Sequence, residues 1–421
     1  MEMEFSLACV GSEGHLYEYP DLIPVGKTGD IIKPLTKQDL IPLPAGSSLA
    51  MLPGRAALGA DRQGRLRQAS YLPHVKGPLF SVSALLPMGY ARTYLPAAKA
   101  RLDAQPLPLF GYTAVGFLGG QLYAAAIRVE PDNTTWDPKR YNTSDLKGRV
   151  LTRCQQYPKN RILHHLARCA LEYGCFTAQN LFYRRWEGGI PVSPACNARC
   201  LGCISKQISE CCPSPQERIN FIPSVQEVVD IAVPHLNEAE DSIISFGQGC
   251  EGEPTLMADL LVQAIGGIRK RTNRGIININ TNGSRPNVIQ ALAHLGLNSI
   301  RVSLISPQPK IFNAYVRPRA YTLDKVKETI RIAVKEGLTV SLNYLIFPGV
   351  SDREEEVDTM VEFLRSCPVH LVQLRNLNID PDVYLKIIPR RRGRLLGIRG
   401  LCERLQAEFP DMLLGSFTHS Q

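Results

Sequence analysis

Between Ser242 and Leu377 the hydrophobic positions fall into two alternating rhythms. Short apolar runs read as strands: Ser242-Ile-Ile-Ser-Phe-Gly, Gly275-Ile-Ile-Asn-Ile-Asn, Ser299-Ile-Arg-Val-Ser-Leu-Ile, Leu338-Thr-Val-Ser-Leu-Asn-Tyr-Leu-Ile-Phe and His370-Leu-Val-Gln-Leu-Arg-Asn-Leu. The stretches between them place apolar residues three and four apart. They predict helices from Leu256 to Lys270, Pro286 to Leu295, Leu323 to Glu336 and Asp352 to Arg365. Upstream, Ile190-Pro-Val-Ser predicts a first strand. A helix is predicted from Ser224 to Asn237, with Ser224 and Glu227 forming a capping box. Strand and helix alternating at short intervals argue for parallel βαβ units with right-handed crossovers. About six units predict an α/β chain built on a full or partial (β/α)6 TIM-like barrel.

The first part of the chain lacks this rhythm. From Met1 to about Asp145 it is rich in Pro and Gly, and segments such as Asp21-Leu-Ile-Pro-Val read as short extended pieces. Two runs around Gly119-Gly120 predict a hairpin. A smaller β-rich or irregular N-terminal accessory domain is therefore expected over 1–150. A connector helix is expected over 151–187, reading from near Asn160 to Tyr173. The barrel core is expected over 188–380 and a basic C-terminal extension over 381–421, with a helix from Ile398 to Phe409.

Composition narrows the class. The chain has 421 residues, 44% hydrophobic and 21% charged, as in an ordinary globular enzyme. A net charge of +9 permits an acidic partner without requiring one. The opening MEMEFSLACVGSEG is acidic where a secretory signal is basic, and no run is long and apolar enough for a bilayer. A cytoplasmic location and no membrane partner are expected. Twelve cysteines in that setting read as reduced thiols, some of them metal ligands.

The chemistry concentrates in Cys196-Asn-Ala-Arg-Cys200-Leu-Gly-Cys203. Three thiols in one tight loop can turn toward one point, yet they are one ligand short of a closed zinc or iron–sulfur site. Two readings stay open on spacing alone: a zinc site completed by Cys211, Cys212 or a histidine, or a metal centre with one position left for a small molecule. The polar segments that follow the later strands lie at their C-terminal ends, where a β/α barrel gathers its chemistry. They are Gly247-Gln-Gly-Cys-Glu-Gly-Glu-Pro, Thr281-Asn-Gly-Ser, Ser303 to Ser306, Pro348-Gly-Val-Ser-Asp and Arg375-Asn-Leu-Asn.

The cysteine spacing, followed by Gly252-Glu253-Pro254-Thr255-Leu256 and the Thr281-Asn282-Gly283 turn, resembles the radical S-adenosylmethionine (SAM) superfamily over roughly Gly188 to Asn378. The resemblance implies that Cys196, Cys200 and Cys203 hold a [4Fe–4S] cluster whose fourth iron binds SAM. It implies one-electron cleavage of SAM to methionine and a 5′-deoxyadenosyl radical, which abstracts hydrogen from an unidentified substrate. Glu253 would accept from the SAM ammonium, with Gly252 allowing close backbone approach. Thr281, Asn282, Ser303 and Asn343 would face the ribose and carboxylate, and backbone near Pro348 and Gly349 the adenine. One departure is Gly202, where the family often has an aromatic residue, so adenine stacking falls to Ile204 or Phe347.

Other features are left over. Cys250 is the candidate catalytic residue; it could bind a second metal, donate a hydrogen atom or simply pack. An auxiliary Fe–S cluster on Cys169, Cys175, Cys211 and Cys212 is a further reading, and His164 and His165 are weak metal candidates. The basic run from Lys386 to Arg394 suggests RNA binding or an anionic substrate. The functional readings are therefore a radical SAM enzyme acting on a small-molecule, peptide or RNA substrate, an RNA-modifying member using the basic tail, and an iron–sulfur electron-transfer protein without radical catalysis. A reducing partner such as ferredoxin or flavodoxin is implied.

Overall fold

The computed structural model describes residues 5–130, 135–207, 212–389 and 393–415. They form two compact units. One gathers Met1–Pro131, Ile346–Thr359 and Leu374–Phe409; the other Asp132–Leu345, Met360–Gln373 and Pro410–Gln421.

The first unit is built on a 13-stranded sheet. Its longest strand, Ser48–Ala60, pairs antiparallel with Phe80–Leu85. Alternate residues Ala8, Val10, Val82, Ala84, Val115 and Phe117 close one core. The Gly119-Gly120 hairpin is present: Leu118 pairs with Gln121, and both glycines have positive φ, as a two-residue turn joining twisted strands requires. Buried charge fixes the later segments of this unit. Asp380 accepts from Arg55 Nη2 and from the Leu107 N–H, both at 2.7 Å. Fully buried Arg92 donates to Leu377 O at 2.7 Å, and burial pulls its pKa down to about 9.

The second unit begins with helices α1 (Leu146–Gln156), α2 (Arg161–Leu171) and α3 (Phe176–Tyr183). The single expected connector helix corresponds to α2. The flanking α1 and α3 escape the hydrophobic pattern because α1 buries only Leu146 and Val150, and α3 buries Gln179 and Asn180 among its apolar residues. Then come β1 (Arg185–Gly189), α4 (Val225–Glu238), β2 (Glu240–Phe246), α5 (Ala258–Arg269), β3 (Ile276–Thr281), α6 (Pro286–Ala293), β4 (Ser299–Leu304), α7 (Pro309–Val316), α8 (Leu323–Lys335) and β5 (Thr339–Ile346). Strands β6 (Leu371–Asn376) and β7 (Leu413–Gly415) complete one sheet in the order β1-β2-β3-β4-β5-β6-β7. Among the described residues its two edge strands do not pair, so the architecture is a partial barrel of seven strands rather than a closed one of six.

Two strand expectations change. The first strand is Arg185–Gly189, and Ile190–Ser193 runs on beyond it. The chain from Arg185 does not look like a strand because its inward residue is charged Glu187, Trp186 has φ 48°, and two glycines follow. The added seventh strand is only three residues long.

The sheet has two unlike faces. Ile244, Ile277, Ile279, Ile300, Val302, Val340 and Leu342 are fully buried on the apolar face. The other face carries Ser245, Asn278, Asn280, Ser299, Arg301, Ser303 and Asn343, aligned strand to strand by register. Glu187 Oε1 accepts from Ser245 Oγ (2.5 Å), Gln248 Nε2 (3.1 Å) and Arg301 Nη1 (3.1 Å), and the same guanidinium nitrogen reaches Asn280 Oδ1 at 2.9 Å. The pair is well but not completely satisfied, since Arg301 Nε is buried without a partner, and part of its desolvation cost stays uncompensated.

Helix α2 is positioned by α4. Asn160 caps α2, accepting from the Leu163 N–H at 3.1 Å, and donates to Glu227 O at 2.9 Å. Glu227 completes the capping box with Ser224 and also holds Arg161 at 2.7 Å. The Arg161 hydrogen bond brings its pKa from 4.5 down to about 2. A depressed acid contributes stability above its unfolded pKa and loses it as pH falls through the folded value. Glu227→Gln is therefore expected to cost ~2 kcal/mol at neutral pH, after discounting for the half-exposed arginine. In denaturant titrations at several pH values, the gap from the unsubstituted protein should close between pH 4.5 and about 2.

Candidate functional site

The cysteine loop is anchored at both ends by backbone hydrogen bonds. At its entry one carboxylate gathers two strand ends. Glu251 Oε2 accepts from the N–H groups of Val192 (2.8 Å) and Ser193 (3.0 Å), and Oε1 from those of Gly247 and Gln248 (3.2 Å). Burial pushes this carboxyl up to about 8. The next two residues then pair directly with the loop entry: Gly252 N–H to Ser193 O at 2.7 Å and Glu253 N–H to Ala195 O at 2.8 Å. A Cβ on Gly252 would lie 1.9 Å from Ala195 O, so glycine is required by close backbone approach. At the far side, Arg199 and Leu201 donate their N–H groups to Val316 O and Tyr315 O, both at 3.0 Å. These are end carbonyls of α7 that have no partner within the helix.

Glu253 ties the loop to β3. Its Oε1 accepts from Thr255 Oγ1 (2.6 Å), Thr281 Oγ1 (2.7 Å) and the Thr255 N–H (3.2 Å), and its Oε2 from the Asn282 N–H (2.8 Å). The side chain is 3% exposed, and burial raises its pKa above the usual carboxylate range. Asn282 Nδ2 in turn donates to Asn197 Oδ1 at 2.7 Å, and Asn197 donates to Ser284 Oγ at 2.9 Å. Cysteine loop, glycine–glutamate segment and Thr281-Asn282 turn thus form one closed hydrogen-bonded circuit.

Within it Cys196, Cys200 and Cys203 are half-buried free thiols. Burial raises the pKa of Cys200, and the neighbouring Cys203 and Cys196 raise it further. Three cysteine sulfurs gathered in one loop are a donor set of the kind that binds a metal centre. Arg218 supplies local positive charge, with Nη2 3.5 Å from Cys203 Sγ and 3.0 Å from Ser205 Oγ.

Ser303 and Asn343 lie opposite each other in register on β4 and β5, and the buried Asn343 Oδ1 has no partner. Gly252, Glu253, Thr281 and Asn282 are thus brought together, and Ser303 and Asn343 form a second polar pair. Phe347 belongs to the other unit. Its ring lies under Arg92 (5.2 Å) and against Tyr384 (4.7 Å), so it is already covered on two sides. Pro348 O accepts from the Gly29 N–H at 3.1 Å, and a Cβ on Gly349 would meet Gly29 N at 1.8 Å. Ile204 sits against Gly249. A cavity of about 420 Å³ in that other unit, lined by Lys33, Asp39, Tyr94, Asp352 and Arg399 among others, includes none of the cysteine-loop residues.

Cys250 does not stand alone. Its ligand atom, those of Cys169 and those of His165 all lie within 4.8 Å of one another. Cys169 is held below the usual thiol range, first by its hydrogen bond with Cys250. Cys211 and Arg390–Arg392 lie outside the described residues, and Cys212 is half-buried.

Sequence reasoning passed over Glu251, Asn197 and Tyr321. Glu251 is visible only as the first of two glutamates flanking Gly252. Tyr321 Oη is buried without a partner, and its ionisation is opposed by burial and by charge on Cys200 and Glu253; no local pattern signals it.

Residues 190–364 match the family model described as the radical SAM superfamily. The mitochondrial GTP 3′,8-cyclase of Arabidopsis thaliana is 26% identical over 209 residues, 48% of this chain and 49% of that protein. A probable dual-specificity RNA methyltransferase RlmN of Prochlorococcus marinus subsp. pastoris is 25% identical over 232 residues, 50% of this chain and 64% of that protein. A solved structure of the radical SAM methyltransferase TsrM from Kitasatospora setae, with cobalamin and a [4Fe–4S] cluster, aligns at TM-score 0.36 and 17% identity, over 46% of this chain and 37% of that one. The chain spans about half the length of two of the cyclases it matches, 49% and 55%, and 28% of a third.

Gly252→Ala is expected to destabilise by about 3 kcal/mol, because the obstructing atom is a backbone carbonyl that cannot swing aside. Gly266→Ala in α5, where a Cβ meets nothing within 4 Å, should instead stabilise by about 0.5 kcal/mol. Chemical denaturation of both variants checks the pair.

Proposed function

The chain carries a radical SAM domain at residues 190–364, and on that premise we propose that it is a radical SAM enzyme with a [4Fe–4S] cluster on Cys196, Cys200 and Cys203. When bound, the reduced cluster supplies one electron to SAM, giving a 5′-deoxyadenosyl radical that takes hydrogen from a substrate. The closed circuit through Ala195, Glu253, Asn282 and Asn197 carries this reading. It joins the thiol loop to a buried carboxylate with one acceptor position left on Oε2 after the Asn282 N–H, suited to an ammonium group. Asn343 Oδ1, buried and unpartnered, suits a ligand donor such as a ribose hydroxyl.

The glycine–glutamate segment and the Thr281-Asn282 turn, which a zinc site would leave unexplained, favour a multi-iron cluster over a zinc ion at this loop. Zinc draws its sulfurs to about 2.3 Å from the metal, hence to within about 4 Å of one another. Among the described residues, the trio of His, Cys, Asp or Glu ligand atoms that lie within 4.8 Å is His165, Cys169 and Cys250, not the loop thiols.

Anaerobic reconstitution, chemical reduction and SAM addition test the proposal. 5′-Deoxyadenosine is expected, abolished in Cys200→Ala. Glu253→Ala removes a charge-assisted hydrogen bond and should weaken SAM affinity about tenfold or more. A loaded cluster that never cleaves SAM would leave the electron-transfer reading. Ferredoxin or flavodoxin is the reductant class proposed for the cell.

The relatives named as RNA methyltransferases favour a second reading, in which the substrate is RNA held by Lys386, Arg394 and the arginines between them. Binding of a single-stranded RNA should then weaken steeply with salt, and less steeply after Arg394→Ala. A flat salt response removes this reading. No helix among the described residues is long and apolar enough to cross a membrane.

A further inference from the structure

We propose that His165, Cys169 and Cys250, with Cys175 beside them, form a second metal site that binds one zinc ion. His165 and Cys169 are one helical turn apart on α2 and project from the same face. Cys250 reaches them from the loop after β2, where its carbonyl accepts the Ile219 N–H at 2.9 Å and Glu251 pins the backbone ahead of it at Gly247 and Gln248. Cys175 starts α3, with its N–H on Cys169 O at 3.0 Å.

Three observations point to a cation here. The ligand atoms of the trio converge within 4.8 Å. Cys169 is 0% exposed and Cys250 5%, so a thiolate on either has no water to solvate it. The third lies on His165: its Nε2 is buried and, by geometry, has no hydrogen-bond partner, with the ring against Cys169. A buried imidazole nitrogen without a partner is costly, and the natural partner inside a thiol cluster is a metal.

The donor set selects the ion. Two thiolates and a neutral imidazole match zinc in charge and softness; Cys175 Sγ, outside the converging trio and engaged with Thr177 Oγ1 at 3.2 Å, would have to turn to become a fourth ligand. Two thiolates against one Zn²⁺ leave no net charge in the buried site. An iron–sulfur cluster takes cysteine ligands around several metal atoms, a wider span than this trio offers.

A zinc ion here would clip α2 to the segment that continues into Glu251, Gly252 and Glu253. It would brace the start of the glycine–glutamate segment. The inference does not rest on the proposed function, since these ligands are separate from Cys196, Cys200 and Cys203.

The test uses the full chain purified anaerobically, with zinc and iron both measured. Roughly one zinc per chain is expected alongside the cluster iron. Cys169→Ser and Cys250→Ser should each lose the zinc and keep the iron, whereas Cys200→Ala should lose iron and keep zinc. Cobalt added to the zinc-stripped, unsubstituted protein should give thiolate charge-transfer and tetrahedral ligand-field bands, a readout that does not depend on the variants folding. The proposal is overturned if the unsubstituted protein binds neither zinc nor cobalt through thiolate. Zinc retained in the Cys169→Ser/Cys250→Ser double variant also overturns it. So does extra iron that disappears with these substitutions, which would mean an auxiliary iron–sulfur cluster, or a metal-free Cys169–Cys250 disulfide found by mass spectrometry.

Discussion

The site depends first on one buried carboxylate. Glu251 takes four backbone N–H groups from two loops that leave adjacent strands. Without it these donors would be buried and unpaired at the point where the chain must turn sharply. With it, the segment leading to the cysteines and the segment leading to Glu253 are held at a fixed spacing, and the two backbones approach closely enough to exclude any side chain but hydrogen at position 252. Every later element of the circuit is placed relative to that contact.

The sheet beneath provides the complementary constraint. A parallel sheet covered on both faces is usually apolar throughout. Here one face is, and the other is a hydrogen-bonded layer from Glu187 through Ser245, Asn278 and Asn280 to Arg301. The polar layer holds its members in defined orientations at the cost of desolvating them. The strands then carry Ser303 and Asn343 on the same face, one step toward their C-terminal ends.

This two-faced construction explains what could be read in advance. Strands β3 to β5 alternate cleanly, as in Ile276-Ile-Asn-Ile-Asn-Thr, because one face packs on helices and the other does not. The cysteine loop was legible because its three thiols are local in sequence, and Glu253, Thr281 and Asn282 because their motifs sit at strand ends. The first strand was misplaced because its register is set by a buried ion pair with Arg301, a partner no local pattern reveals. Asn197 and Tyr321 were invisible for the same reason: each is defined by a neighbour from another loop. The trio of His165, Cys169 and Cys250 combines a helix with a distant strand-end loop. Only the fold, with α2 pinned to α4 by Glu227, brings them together.

Helix α7 adds an electronic consequence. Its end carbonyls take the N–H groups of Arg199 and Leu201, the two residues that flank the middle cysteine. Amides engaged in this way cannot point at sulfur. Hydrogen bonds to cluster and cysteine sulfurs withdraw electron density and make an iron–sulfur centre easier to reduce. A centre seated in this loop would lack these two donors, while Arg218 Nη2 lies 3.5 Å from Cys203 Sγ and would supply one. Withholding the two amides would lower the midpoint potential of such a centre and the guanidinium would raise it, so the loop backbone and Arg218 would tune it in opposite directions.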